Sequence, residues 1–196
     1  MPSSEHRPEQ RRLLLALARD SIRHGLATGR PLEVDVTAFD PELRRPGASF
    51  VTLDAHGRLR GCIGSLEAYR PLVVDVADNA FNAAFRDPRF PPVREDEFED
   101  LRIHVSVLSP PEPLQFRDEA DLLAQLRPGV DGLILEDRGR RGTFLPSVWE
   151  QLPDRQEFLA HLKLKAGLPP DHWSPTLRVW RYTTESFGEE DFPEAR

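Results

Sequence analysis

The chain has 196 residues, enough for one large domain or two small lobes, and a chain of this length needs no disulfide or metal staple to fold. Its formal net charge of −7 disfavours general attraction to nucleic-acid phosphates. No apolar run approaches the ~20 residues of a membrane helix, and residues 1–12 hold no apolar segment ahead of a cleavage site, so cytoplasm is the expected location, with no membrane or nucleic-acid partner.

Cys62 is the only cysteine, which rules out an intrachain disulfide, a CxxC redox pair and an iron–sulfur cluster. Among 26 basic residues only Lys163 and Lys165 are lysines, which with the 19 prolines reads as bacterial GC-rich codon bias more than a binding adaptation.

In chain order, residues 9–26 predict an amphipathic helix, because Leu13, Leu14, Leu17, Ala18 and Ile22 recur at helical spacing, with Gly25 and Gly29 as stops. Residues 49–54 and 58–63 predict a hairpin around a turn at residues 54–57. Pro71 opens a second helix whose apolar stripe is Val73, Val76, Ala77, Ala80, Ala84 and Phe85, with Asp75, Asp78 and Asn82 facing away and Pro88 as its limit. A strand is expected over 101–108, then a stiff proline-rich linker at 110–113 and a helix over 118–127. A second hairpin (132–136 and 143–145) follows, then a helix from Asp154 to Ala166 stopped by Gly167, and a strand over 177–182. This order lacks regular βαβ alternation, so the fold class is α+β with a mixed or antiparallel sheet flanked by helices. A single domain over 9–187 is expected, as two unequal lobes sharing one core, with residues 1–8 and 188–196 as flexible termini and fraying from Glu185 onward.

The richest stretch for chemistry is Leu59-Arg60-Gly61-Cys62-Ile63-Gly64-Ser65. In an extended strand Arg60 and Cys62 share a face, where a guanidinium favours the reactive thiolate. The amides of Ile63, Gly64 and Ser65 offer a donor site for an anion or oxyanion. Against this stands the reading of Cys62 as a small buried hydrophobe. In Asp87-Pro88-Arg89-Phe90-Pro91-Pro92, Asp87 orients a group and Arg89 clamps an anion, or both tie down the loop while Phe90 plugs the core. Lys165, in a last helical turn, is accounted for by the helix dipole alone. His104 shares a strand face with Arg102 and Ser106, as a base beside Cys62 or as a half-exposed sheet residue. His56, His104 and His161 lie on separate elements without ligand spacing, so no metal site is expected.

Phe50-Val51-Thr52-Leu53, then Leu59-Arg60-Gly61-Cys62-Ile63-Gly64, then Asp87-Pro88-Arg89-Phe90-Pro91-Pro92, Val105-Ser106-Val107-Leu108, Phe144-Leu145-Pro146 and Lys165-Ala166-Gly167-Leu168 together resemble the AMMECR domain family, whose prokaryotic members are called AmmeMemoRadiSam system protein A. The resemblance runs from about Leu13 to about Phe187. It implies an α+β fold of two unequal lobes with a cleft near the glycine–cysteine segment, and association with a Memo-like protein and a radical S-adenosylmethionine (SAM) enzyme. It implies no assigned activity and no known cofactor. The motif residues that carry over are Arg60, Gly61, Cys62, Gly64, Asp87, Arg89, Phe90, Leu145, Pro146 and Lys165, and Ser65 stands where the family usually has threonine; the candidate site takes Cys62 as catalytic and Arg60, Gly61, Gly64, Ser65, Asp87, Arg89 and Lys165 as ligand-binding. Lys163 stands where many prokaryotic members carry a second cysteine, and His104 where others are often acidic. Two functions stay open: an enzyme-like binder of a small anionic or carbonyl ligand, or a non-catalytic adaptor with a structural Cys62.

Overall fold

The first helix, α1 (Pro8–Thr28), starts on a proline whose missing N–H would have no helical partner, while Gln10 Oε1 accepts from the Arg7 N–H at 2.9 Å. It ends at Gly29, whose φ of 72° makes the left-handed cap that lets its N–H return to Gly25 O. Gly25 does not stop the helix. A Cβ there would lie 2.4 Å from the Phe85 ring, so the glycine lets two helices cross closely. These observations come from a computed structural model of the protein, which describes residues 5–193.

A short helix α2 (Pro41–Arg44) leads into β1 (Ala48–Ala55) and β2 (Arg58–Gly64). They meet at His56 and Gly57, both at positive φ, the geometry that a tight two-residue hairpin demands. Helix α3 (Leu72–Phe85) follows, then β3 (Leu101–Leu108), β4 (Glu112–Pro113), α4 (Glu119–Gln125), β5 (Gly132–Asp137), β6 (Arg140–Phe144), α5 (Arg155–Lys165), β7 (Arg178–Tyr182) and β8 (Thr184–Gly188). Asp118 and Asp154 cap α4 and α5 by accepting from the N–H groups of Asp121 and Glu157. The class is α+β.

The described residues form two compact units, one up to Leu108 together with Glu185 onward, the other Ser109–Thr184. The first holds a sheet ordered β2-β1-β3-β8, with β1 antiparallel to both neighbours. One face of this sheet (Val51, Leu53, Ile103 and Val105) shares a core with Leu14, Ala18 and Ile22 of α1 and Val73, Val76 and Ala80 of α3. The second unit holds an antiparallel sheet ordered β4-β7-β5-β6 and a separate core that includes Leu122, Leu133, Trp149, Phe158 and Leu162.

Further expectations change, and the two units have separate cores where one shared core was expected. Asp75 does not face away from the core: it is 0% exposed, and Asn79 one turn later is buried beside it. The expected fraying from Glu185 is replaced by a strand through Gly188, and Glu189 is buried. Of the termini expected to be flexible, residues 1–4 and 194–196 lie outside the described residues. Among the described residues no helix is long and apolar enough to cross a membrane.

Candidate functional site

β2 is an edge strand, so its backbone groups point alternately toward β1 and away from the sheet. Ser65 N–H donates to Ser49 O at 2.9 Å, and the alternation then turns Ile63 inward and Cys62 and Gly64 outward. The three amides of Ile63, Gly64 and Ser65 therefore do not converge on one point. The outward Cys62 N–H donates to Asp87 Oδ2 at 3.0 Å, and Arg89 Nη2 lies 3.4 Å from the Cys62 carbonyl oxygen that accepts from it.

Asp87 and Arg89 are in turn locked together. Asp87 accepts from the Arg89 backbone N–H at 3.0 Å, from its Nε at 3.0 Å and from its Nη2 at 2.8 Å. The Arg89 side-chain hydrogen bonds hold the buried Asp87 carboxyl well below the usual carboxylate range; the N–H groups of Cys62 and Arg89 add to this, and burial opposes it. The proline-locked segment thus stands where a neighbouring strand would lie and closes the sheet edge at Cys62.

A carboxyl pKa lowered on folding contributes its full stabilising effect above the ordinary value near ~4, and that effect is lost as pH falls from there toward the lower folded value. Urea unfolding of wild type and Asp87→Asn is therefore expected to show a constant stability gap from pH 8 to pH 5 that narrows below about pH 4. A gap that stays constant into acid would contradict this account.

Thr52 lies directly opposite Cys62 on one side and His104 on the other, so the three side chains form a row on the sheet face away from the core. Thr52 Oγ1 and Cys62 Sγ are 3.3 Å apart, and Cys62 as a residue is half-buried. Two strand spacings of about 4.8 Å put His104 roughly 10 Å from the sulfur, too far for a directly acting base.

The register slips at Leu53 and Asp54, which face Gly61 and Leu59, so Arg60 is the extra residue of a bulge. The simple alternation that would place Arg60 beside Cys62 is broken there. Its guanidinium instead grips Glu97 in the 3-10 turn Glu95–Asp100, with Nε 3.0 Å from Oε1 and Nη2 3.1 Å from Oε2. Arg60 accordingly holds the Glu97 carboxyl below its ordinary value.

The glycines have packing reasons. A Cβ on Gly61 would stand 2.1 Å from the Ala83 carbonyl oxygen of α3, and one on Gly64 would stand 2.2 Å from the Phe50 ring. Ser65 Oγ donates to Asp75 Oδ1 at 2.7 Å. Lys165 belongs to the second unit, exposed in the last turn of α5 with Nζ 5.4 Å from the Phe144 ring centre. Among the described residues no group of three or more His, Cys, Asp or Glu side chains is arranged to hold a metal ion.

The AMMECR1 family model matches residues 15–187. The chain belongs to the AMMECR1 family. A protein of Methanothermobacter thermautotrophicus is 42% identical over 184 residues, covering 93% of this chain and 95% of its own length. A protein of Thermotoga maritima is 40% identical over 168 residues, covering 85% and 91% respectively. Among solved structures, the uncharacterized protein PH0010 of Pyrococcus horikoshii matches with a TM-score of 0.83 and 39% identity, over 94% of this chain and 93% of that one.

In this AMMECR1 chain Arg60, Gly61, Cys62, Gly64, Ser65, Asp87 and Arg89 thus gather along β2, while Lys165 lies in the other unit. Sequence reasoning missed the buried groups that brace this AMMECR1 segment. Asp75 Oδ2 accepts from Ser49 N–H at 2.8 Å, Ser49 Oγ at 2.6 Å and Asn79 Nδ2 at 3.0 Å, and Oδ1 also accepts from Arg70 Nε at 2.8 Å. The sequence held no signal for this: Asp75 and Asn79 share one polar stripe of α3 with Asp78 and Asn82, which stay partly exposed, and only the tertiary fold separates the two pairs. Also missed was Lys163, 0% exposed in the second unit, with Nζ 3.2 Å from Glu119 Oε1 and 5.7 Å from the Trp173 ring centre.

Proposed function

We propose that this AMMECR1-family protein is an enzyme-like binder of a small carbonyl or anionic ligand, with the Cys62 thiol as its reactive group. The observation that carries this reading is the double grip on the Cys62 peptide: Asp87 holds its N–H and Arg89 approaches its carbonyl, while the half-buried residue sets its sulfur beside the Thr52 hydroxyl. A cysteine that merely fills space needs no fixing of its backbone, whereas a nucleophile gains from a held geometry. Arg89, 55% exposed in its side chain, keeps a solvent-reachable cation at the Cys62 peptide, where an anionic ligand would meet it.

The test is alkylation of the native protein by iodoacetamide at pH 7.5, followed by mass spectrometry. Cys62 is expected to react at least as fast as a free thiol, and Arg89→Gln to slow it several-fold. A thiol that reacts only after unfolding in urea would sink the proposal.

A second reading, a non-catalytic adaptor with a structural Cys62, is favoured by one observation: Arg60 and Arg89 are both already ion-paired, to Glu97 and Asp87. The Memo-like and radical SAM partners belong to both readings and rest on the family resemblance. Co-purification with those partners separates the readings, since Cys62→Ala leaves the complex intact if the residue is structural filler in an adaptor.

A further inference from the structure

The row that carries Cys62 and Thr52 ends on His104, whose two ring nitrogens face carboxylates from different parts of the chain. Nε2 lies 3.4 Å from Asp54 Oδ2 on β1, and Nδ1 lies 3.2 Å from Glu190 Oε1 in the 3-10 turn Glu189–Asp191. Neither contact is a hydrogen bond; both are ion-pair separations, so the attraction to the two carboxylates exists only while the ring carries a proton on each nitrogen.

The two carboxylates differ in what else they have. Asp54 stands directly opposite Arg102 across the strands, so a second cation is near it. Glu190, 55% exposed in its side chain, has no other cation within ion-pair distance among the described residues. Cys62 lies two strands from His104 in the same row, and Glu189 points the other way to Arg19.

We propose that His104 is a charge-dependent clasp: protonated, it draws Glu190 onto the open face of the first sheet, and neutral, it releases that side chain. The movement is confined to one turn, because Glu189 and its bond to Arg19 keep the segment on the fold. The clasp does not depend on Cys62 being reactive.

The experiment is an NMR titration of the full chain from pH 5 to 9, following the His104 ring and the backbone amides of Glu190 and Asp191. In wild type these amides are expected to move with the His104 ring and share one midpoint. In Glu190→Gln the ring still titrates but the amides no longer follow, and in His104→Gln the transition is lost from the amides. Amides that stay flat through the His104 transition in wild type, or a transition that survives in His104→Gln, would overturn the clasp. If His104→Gln fails to fold, the wild-type and Glu190→Gln arms decide alone. Neither arm reads thiol chemistry, so failure here leaves the Cys62 proposal standing, and the reverse holds.

Discussion

Replacing Asp75 by asparagine is expected to destabilise the first unit by about 3 kcal/mol, the lower end of the range of about 3–5 kcal/mol for breaking a buried ionic network by removing one partner. Asp75 is fully buried and accepts from five donors on Ser49, Ser65, Arg70 and Asn79. Asparagine keeps the shape, but its amide nitrogen cannot accept, so donors on one side of the group lose their partner while staying out of water. The lower end applies because Arg70 retains Asp78 and is partly solvated. Both ends of the segment between Ser65 and Arg70 are tied to the same oxygen, Asp75 Oδ1. Faster amide exchange in residues 66–69 should therefore accompany the loss of stability in urea unfolding. A loss under about 1 kcal/mol would mean that the network adds little beyond ordinary hydrogen bonds.

Glu189→Gln is expected to cost about 3–5 kcal/mol, because it strands a buried guanidinium. Glu189 is 1% exposed and accepts from Arg19 Nε at 2.5 Å, from Arg19 Nη2 at 2.8 Å and from the Ile103 N–H at 3.0 Å. Arg19 also donates to the Leu101 carbonyl at 2.9 Å and lies over the Phe98 ring, so it cannot swing out to water without undoing other contacts. The bond ties α1 and β3 to the end of the chain, and its loss should release β8 before the rest of the unit. Replacing both partners by methionine removes the charge as well as its counter-charge, so the double variant is expected to be more stable than Glu189→Gln alone. Thermal and urea unfolding of the three proteins check this. A double variant less stable than the single one would mean that packing, not the stranded charge, sets the cost.

Much of the local structure could be read from the chain before any fold was known. The helical spacing of Leu14, Ala18 and Ile22, the turn residues around Gly57 and the capping aspartates 118 and 154 each act within a few residues, so their effects appear in the sequence itself. The strand at 184–188 was not visible in the same way. Its burial on one side comes from α1 and β3, and nothing in its own composition announces them.

The candidate site divides along the same line. The family resemblance grouped Arg60, Cys62, Asp87 and Arg89, but what each side chain holds was not readable from the motifs. A bulge of one residue removes Arg60 from the regular alternation that carries Cys62, and Asp87, read as orienting an acid–base group or as tying down its loop with Arg89, holds Arg89 and also the Cys62 peptide N–H. By itself the sequence determined the α+β class, most element positions and the family. Only the tertiary structure decided which charges are buried and what they hold, as with Arg19 and Glu189, which lie 170 positions apart. The physical reason is range: periodicity and turn chemistry act over a few residues, whereas a buried polar group is stabilised by partners that folding alone brings within 3 Å or so of it.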